Sequence, residues 1–91
     1  MPTVRNAEER SRYELVDDGA VVAIADYRVA GDVVILPHTE VRSDLRGQGL
    51  GAQLVEGALD DVRSQGRQVE PACWYVREFI HANPDYQDLV A

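Results

Sequence analysis

A glycine-rich stretch between two apolar segments is the first part of this sequence that could do chemistry. Gly47, Gly49 and Gly51 follow a β-branched segment that ends at Val41, and an amphipathic run begins directly behind them. In that run the apolar residues recur at helical spacing, namely Leu50, Leu54, Val55, Ala58, Leu59 and Val62. The first N–H groups of a helix lack intrahelical partners and lie at its positive end, and glycine lets an anion approach the backbone closely. The order of strand, glycine turn and helix therefore predicts a site for a phosphorylated ligand.

Two common phosphate-binding motifs do not fit this stretch. A P-loop needs Lys followed by Ser or Thr after its last glycine, whereas Gly51 is followed by Ala52 and Gln53. A dinucleotide-binding fingerprint needs G-x-G-x-x-G directly after the first strand, whereas this spacing is G-x-G-x-G and lies past the first third of the chain. A flexible turn that merely leads into a helix is the alternative to a binding loop.

Three further side chains have types and positions that suit group transfer. Cys73 stands at the end of an apolar segment and just before a second helical pattern, a position that would lower the pKa of a thiol and make it a nucleophile. A small buried hydrophobe is the alternative for this cysteine. His38 and Glu40 are two residues apart and so share one face of a strand, where either could act as a general base. A hydrogen bond within the sheet or a solvated edge would explain that pair equally well.

The elements that must position these residues can be read from turns and periodicity. The pattern predicts strands over 12–16, 20–29, 33–41 and 68–73, and helices over 50–64 and 74–81, with a last turn over 85–89. Short turns between the first three strands predict an antiparallel meander, and the first helix would return the fourth strand parallel to the third. We expect residues 1–10 to fray, and Trp74 and Phe79 to lie in the core. The fold class is thus α+β, with residues 1–91 forming one domain.

The glycine loop resembles a known family motif. Arg46-x-x-Gly49-x-Gly51 is similar to the R/Q-x-x-G-x-G/A pyrophosphate loop of the GCN5-related N-acetyltransferase superfamily. Over residues 11–88 the chain also resembles the small single-domain acetyltransferase-like family, in its segments His38-Thr39-Glu40-Val41, Pro71-Ala72-Cys73 and Asn83-Pro84-Asp85-Tyr86. The resemblance implies a minimal acetyltransferase fold with acetyl-CoA as cofactor and its pantetheine arm between the third and fourth strands.

The resemblance also implies roles for particular residues. Cofactor binding falls on Val41, Arg42, Arg46, Gly47, Gln48, Gly49, Leu50, Gly51 and Ala52. The small family also has a cysteine at the position of Cys73. With His38 and Glu40, which their shared strand face suggests as bases, Cys73 completes the candidate catalytic residues. Tyr86, after Asn83-Pro84, is considered as a proton donor to the leaving thiolate, with side-chain packing as its alternative. The implied function is an acetyl-CoA-dependent N-acetyltransferase, and the alternative is a non-catalytic CoA or acyl-CoA binding module that regulates a partner.

The tight turn at Asp17-Asp18-Gly19 bears on the acceptor. Larger members of the superfamily have helices at this point that wall the acceptor pocket, and the turn leaves no room for them. An open acceptor side favours a protein or peptide amine over an enclosed small molecule.

Composition excludes several other classes. The chain has nine arginines, scattered along it, no lysine and a net charge of −7, so no clustered basic face for nucleic acid is expected. One cysteine excludes an internal disulfide framework, and one cysteine with two separated histidines gives no metal-ligand spacing. No apolar run is long enough to cross a bilayer, so we expect no membrane partner and a cytoplasmic location. The acidic balance could attract an amine-bearing substrate or serve solubility alone, and the oligomeric state is left open.

Overall fold

A five-stranded sheet forms the frame of the molecule. The computed structural model describes residues 1–91, and its strands lie in the order β1-β2-β3-β4-β5. They comprise β1 (Thr3–Ala7), β2 (Arg12–Asp17), β3 (Ala20–Ala30), β4 (Val33–Val41) and β5 (Gln68–Glu70). The first four strands are antiparallel and β5 is parallel to β4. The predicted α+β class, the meander and the parallel return are therefore confirmed.

The first strand corrects the expectation that residues 1–10 fray. All five residues of β1 pair with β2, from Thr3 with Val16 to Ala7 with Arg12, and a 3₁₀ turn at Glu8–Arg10 joins the two strands. Val4 lies so close to helix residue Gly57 that a Cβ added there would overlap Val4 Cγ2. Strand pairing and this contact hold the N-terminal segment against the rest of the molecule.

Two helices cover one face of the sheet. Helix α1 (Leu50–Ser64) contacts all five strands, and α2 (Trp74–Ala82) contacts both α1 and β4. The helical periodicity predicted for α1 is confirmed by its buried residues Leu50, Gly51, Leu54, Val55, Ala58, Leu59 and Val62. A hydrogen bond of 2.7 Å from Tyr13 Oη to Asp61 Oδ2 joins α1 to β2. The core lies between this helical layer and the sheet, and we call the opposite side of the sheet the open face.

Strands β4 and β5 pair only briefly. Their parallel ladder joins Val33–Ile35 to Gln68–Glu70, so the strand predicted over 68–73 is shorter than expected. Two residues of β4, Leu36 and Pro37, stand opposite one residue of β3, which forms a β-bulge. Pro71 follows β5 directly and has no N–H to continue a ladder. Beyond this point the two strands separate.

The C-terminal part contains one clear departure from expectation. Trp74, placed in the core by sequence reasoning, is 66% exposed, while Val76 and Ile80 of the same helix are buried. Helix α2 is rotated so that Trp74 points out of the core, and Phe79 is only partly buried. A 3₁₀ segment at Pro84–Leu89 ends the chain against β5. No helix is long and apolar enough to span a membrane.

Candidate active site between strands β4 and β5

A cleft of about 580 Å³ opens where β4 and β5 separate. It is bounded by the C-terminal half of β4, the glycine-rich loop, the first turn of α1 and the start of α2. The lining residues are His38, Thr39, Glu40, Val41, Leu45, Arg46, Gly47, Gly49, Leu50, Gly51, Cys73, Trp74 and Tyr75. The cleft thus brings together the predicted phosphate loop and all three predicted catalytic residues.

The glycine loop ends in an uncapped helix terminus. Gly49 is the N-cap of α1 with φ of +79°, a left-handed conformation that glycine adopts with little strain, and no side chain caps this end. The first amide to bond back into the helix is that of Gln53, which donates to Gly49 O at 3.2 Å. The amides of Leu50, Gly51 and Ala52 therefore precede the helical hydrogen-bond ladder. This is the arrangement that binds anions at helix N-termini.

Gly51 has a different role from the glycines before it. An added Cβ at Gly49 would meet no atom within 4 Å, so only the backbone conformation favours glycine there. An added Cβ at Gly51 would lie 2.6 Å from Tyr75 Oη. Glycine at this position lets the Tyr75 side chain lie directly against the first turn of α1.

The remaining residues predicted to bind cofactor divide into two groups. Arg46 lines the cleft, and its Nε lies 3.5 Å from Val41 O at the end of β4. Arg42 instead forms an ion pair with Asp44 at 2.7 and 3.1 Å, outside the cleft. The side chains of Gln48 and Ala52 do not line the cleft either, although the Ala52 amide belongs to the free helix terminus.

Cys73 is the N-cap of α2 and half-buried in the cleft wall. Its backbone N–H donates to Leu36 O at 2.9 Å, which fixes it beside the bulge in β4. Burial raises the pKa of the thiol, but the amides of Val76 and Tyr75 and the neighbouring Thr39 favour the thiolate, and the pKa ends below its ordinary value. Thr39 Oγ1 is buried and has no other partner within the protein, so its hydroxyl can donate to the Cys73 thiolate.

His38 and Glu40 form a pair on the open face. His38 Nε2 lies 3.3 Å from Glu40 Oε2, and the two side chains are 56% and 59% exposed. Thr39 and Val41 pair with the buried Ala25 and Ala23 and so face the helical layer. Alternate residues of β4 therefore serve opposite sides of the sheet, and His38 and Glu40 can meet a ligand arriving from solvent.

Sequence reasoning missed several lining residues and placed one elsewhere. Thr39, Leu45, Trp74 and Tyr75 all line the cleft. The signal for Tyr75 was its position two residues after Cys73, in the first turn of α2. Tyr86 does not line the cleft: its hydroxyl donates to Asp60 Oδ1 at 2.7 Å, and burial followed by this contact raises the pKa of the phenol to about 12. Tyr86 packs against Phe79, as its alternative reading proposed.

No three His, Cys, Asp or Glu side chains come close enough to hold a metal ion. The cleft presents a thiol, an imidazole–carboxylate pair, a guanidinium and the backbone amides at the start of α1.

Comparison with known proteins decides the family. A family model described as GCN5-related N-acetyl-transferase matches residues 12–89. This chain belongs to the GCN5-related N-acetyltransferase family. The resemblance predicted from the Arg46–Gly51 loop is confirmed.

Relatives of this family member include Protein NATD1 of several vertebrates. The Bos taurus protein is 36% identical over 63 residues, which are 68% of this chain and 56% of that protein. The Danio rerio protein is 29% identical over 89 residues, which are 94% of this chain and 80% of that protein. The match to the bovine relative therefore spans little more than half of that protein's length.

Two solved structures are similar in fold. A GCN5-like protein of Staphylococcus aureus, solved by NMR, superposes with a TM-score of 0.73 at 22% identity over 98% of this chain and 87% of that one. The ribosomal-protein-S18-alanine N-acetyltransferase of Escherichia coli superposes with a TM-score of 0.60 at 29% identity over 64% of this chain and 38% of that one. Both agree with a small acetyltransferase-type fold.

Proposed function

We propose that this chain is an acetyl-CoA-dependent N-acetyltransferase that acts on an amine of a peptide or protein. One observation carries the proposal: a single cleft runs from the free amides at the start of α1 to Cys73, His38 and Glu40 between the separated strands. A module that only binds the cofactor would need the free amides alone. This cleft also contains a thiol whose pKa is lowered and an imidazole–carboxylate pair that faces solvent.

The residues at the loop end suit the diphosphate of coenzyme A. The amides of Leu50, Gly51 and Ala52 would donate to its oxygens, and Arg46 would add a positive charge at the cleft wall. Beyond Leu36, β4 has lost its ladder with β5, so backbone groups around Val41 are available to the amides of a pantetheine arm. Bound there, the cofactor would supply an activated acetyl thioester.

The residues on the open face suit the acceptor. An amine must be neutral to attack a thioester, so a group near it must take up a proton. His38 Nε2 and Glu40 Oε2 are accessible proton acceptors at the cleft, and both side chains are exposed to solvent. Either could take up the proton of the amine, directly or through one water. The open side of the sheet leaves room for a peptide or protein carrying that amine.

Cys73 offers a second route to the same product. Its Sγ would take the acetyl group by attack on the thioester carbonyl, as the bond from that carbon to the coenzyme sulfur breaks. The amine would then attack the acetyl carbon on Sγ, the amide would form, and the Cys73 thiolate would leave. In both routes His38 or Glu40 would take up the proton of the amine, and solvent would protonate the thiol that is released.

The test measures cofactor binding and turnover separately. Titration with CoA, followed by calorimetry, should show binding that weakens about tenfold in Arg46→Gln, because one charge-assisted contact is lost. Arg28→Gln is the matched control, since Arg28 is an exposed arginine on β3 away from the cleft and the charge change is the same.

Transfer of labelled acetyl from acetyl-CoA to peptides with free amines is the second measurement. Acetylated product above the uncatalysed rate is expected. CoA binding without transfer to any peptide would overturn the enzyme and leave the binding module, and no CoA binding would overturn both.

A further inference from the structure

Three arginines converge on one carboxylate on the open face. Arg5, Arg10 and Arg12 surround Glu14, whose side chain is fully buried beneath them. Arg10 Nε lies 3.0 Å and Arg12 Nε 2.8 Å from Glu14 Oε2, and Arg5 Nε lies 3.1 Å from Oε1. We call these residues the arginine triad.

The arginine triad carries more charge than its partners neutralise. Glu14 offsets one of the three positive charges, and exposed Glu9, with Oε2 3.5 Å from Arg10 Nη1, offsets a second. One positive charge is left without an ion-pair partner, and Asp26 lies opposite Arg12 on the same face of the sheet.

The triad also has unused hydrogen-bond donors. A guanidinium carries five N–H donors in a planar fork that matches a carboxylate. Arg12 contacts Glu14 through its Nε alone, and Arg10, 47% exposed, reaches Glu14 through its Nε and Nη2. Further N–H groups of both side chains face solvent and can bind a second carboxylate.

Strand register places the triad at a defined distance from the cleft. Arg12, Asp26 and His38 are successive partners across β2, β3 and β4. Glu14, Ile24 and Glu40 are successive partners one row away. Paired residues share a face, and strands lie about 4.8 Å apart, so Arg12 and Glu14 on β2 are about 10 Å from His38 and Glu40 on β4.

The open face is therefore polarised between these two ends. Glu40 places negative charge at the cleft, where an ammonium would arrive before losing its proton, and Asp26 lies between the cleft and Arg12. The triad places positive charge two strands away. An acceptor with an amine and an acid about 10 Å apart would align with both.

We propose that the open face is the acceptor platform and that the arginine triad binds a carboxylate of the acceptor about 10 Å from the amine to be acetylated. This rests on the proposed transferase function and adds the substrate class. An extended peptide advances about 3.3 Å per residue, so the acid is Asp or Glu three residues after the one that carries the amine.

The experiment uses two peptides with free N-termini that differ only in Asp or Asn at the fourth position. Anisotropy with a C-terminal fluorophore gives binding in the presence of CoA, and labelled acetyl-CoA gives turnover. The Asp peptide should bind and react about tenfold better, because one charge-assisted contact of about 1.4 kcal/mol separates the two.

Two variants remove the triad's donors while keeping Glu14 paired. Arg10→Gln should reduce the preference to about twofold or less. Arg63→Gln, on helix α1 at the other side of the sheet, should retain it, since the net charge change is identical. Arg12→Gln repeats the comparison from the other side of Glu14, and circular dichroism verifies that each variant is folded. The preference for the Asp peptide can be tested as long as either Arg10→Gln or Arg12→Gln is folded.

The outcomes separate the two proposals. Equal binding of both peptides to the unaltered protein, or an unchanged preference in the folded triad variants, overturns the platform. Equal acetylation of both peptides retains the transferase and overturns the platform. Preferential binding of the Asp peptide without acetylation retains the platform and overturns the transferase.

Discussion

Replacing Glu14 with Gln gives the sharpest test of how the sheet is held together. The substitution keeps the size of the side chain but removes the charge that three guanidinium groups share. Hydrogen bonds from Arg10, then from Arg5 and Arg12, outweigh burial and lower the pKa of Glu14 to about 2, from an ordinary value of 4.5. We expect Glu14→Gln to lower the free energy of unfolding at pH 7.

The magnitude follows from the pKa. A shift of that size corresponds to about 3 kcal/mol of stability at neutral pH. The three arginines are partly exposed and solvent screens their attraction, so we expect about 1–2 kcal/mol. Because β1 supplies Arg5 and the adjoining turn supplies Arg10, loss of the pair should loosen the N-terminal segment first.

The pH dependence gives the prediction its sign. A carboxylate with a depressed folded-state pKa stabilises the fold above pH 4.5 and loses that contribution as the pH falls towards 2. Urea unfolding of both proteins at several pH values should therefore show a gap that is full at pH 7 and nearly closed at pH 2. Glu9→Gln, which removes an exposed charge at 3.5 Å from Arg10, is the control and should change stability by less than about 0.5 kcal/mol. Equal stability of Glu14→Gln and the unaltered protein at pH 7, or a gap that persists at pH 2, would refute this account of Glu14.

Three further predictions concern the helices and the cleft. Gly57→Ala should lower the free energy of unfolding in urea by about 1–2 kcal/mol, because the new Cβ would overlap Val4 and displace β1. This effect should outweigh the better helix propensity of alanine. An unchanged midpoint would contradict the contact. Gly49→Ala should weaken CoA binding about tenfold in a calorimetric titration, because alanine disfavours the left-handed backbone of the anion loop, and unaltered affinity would count against that loop. Iodoacetamide should alkylate Cys73 with a pH midpoint below 9, because the pKa of the thiol is lowered, and Thr39→Val should move this midpoint upward. Mass spectrometry at a series of pH values measures both midpoints. A midpoint of 9 or above in the unaltered protein would exclude a stabilised thiolate.

Local patterns were enough to predict most of the frame. Apolar residues at helical spacing fixed the face of α1, and the turns at Asp18-Gly19 and Gly31-Asp32 separated β2, β3 and β4 at nearly their observed limits. The parallel position of β5 followed from the helix between it and β4. These features depend on neighbouring residues, which a sequence displays directly.

Features that depend on distant partners were harder to predict. Strand β1 is short and polar, and it is ordered by Glu14 on β2 and by Gly57 on α1, neither of which is visible within residues 1–10. Trp74 is exposed because Val76 and Ile80 fix the rotation of α2, a choice that an aromatic-rich helix leaves open. The same rotation of α2 places the Tyr75 side chain in the cleft wall.

The ends of strands could have been predicted better. Pro37 and Pro71 lie at the place where β4 and β5 separate, and a residue without an N–H is a recognisable sign of an interrupted ladder. Among the cofactor residues, Arg42 and Arg46 looked alike in the sequence, and only the nearby Asp44 indicated that one of them would be paired elsewhere.

The alternation of β4 divides its C-terminal residues between two surfaces. Thr39 and Val41 are anchored in the interior, whereas His38 and Glu40 belong to a bare surface that no second layer of helices constrains. Substitutions at Ile24 and Asp26, the neighbours of Glu40 and His38 on β3, can therefore change this surface while the packed core and the glycine loop stay as they are. A chain of this size can thus vary one of its surfaces by single substitutions, and it stays folded at each step.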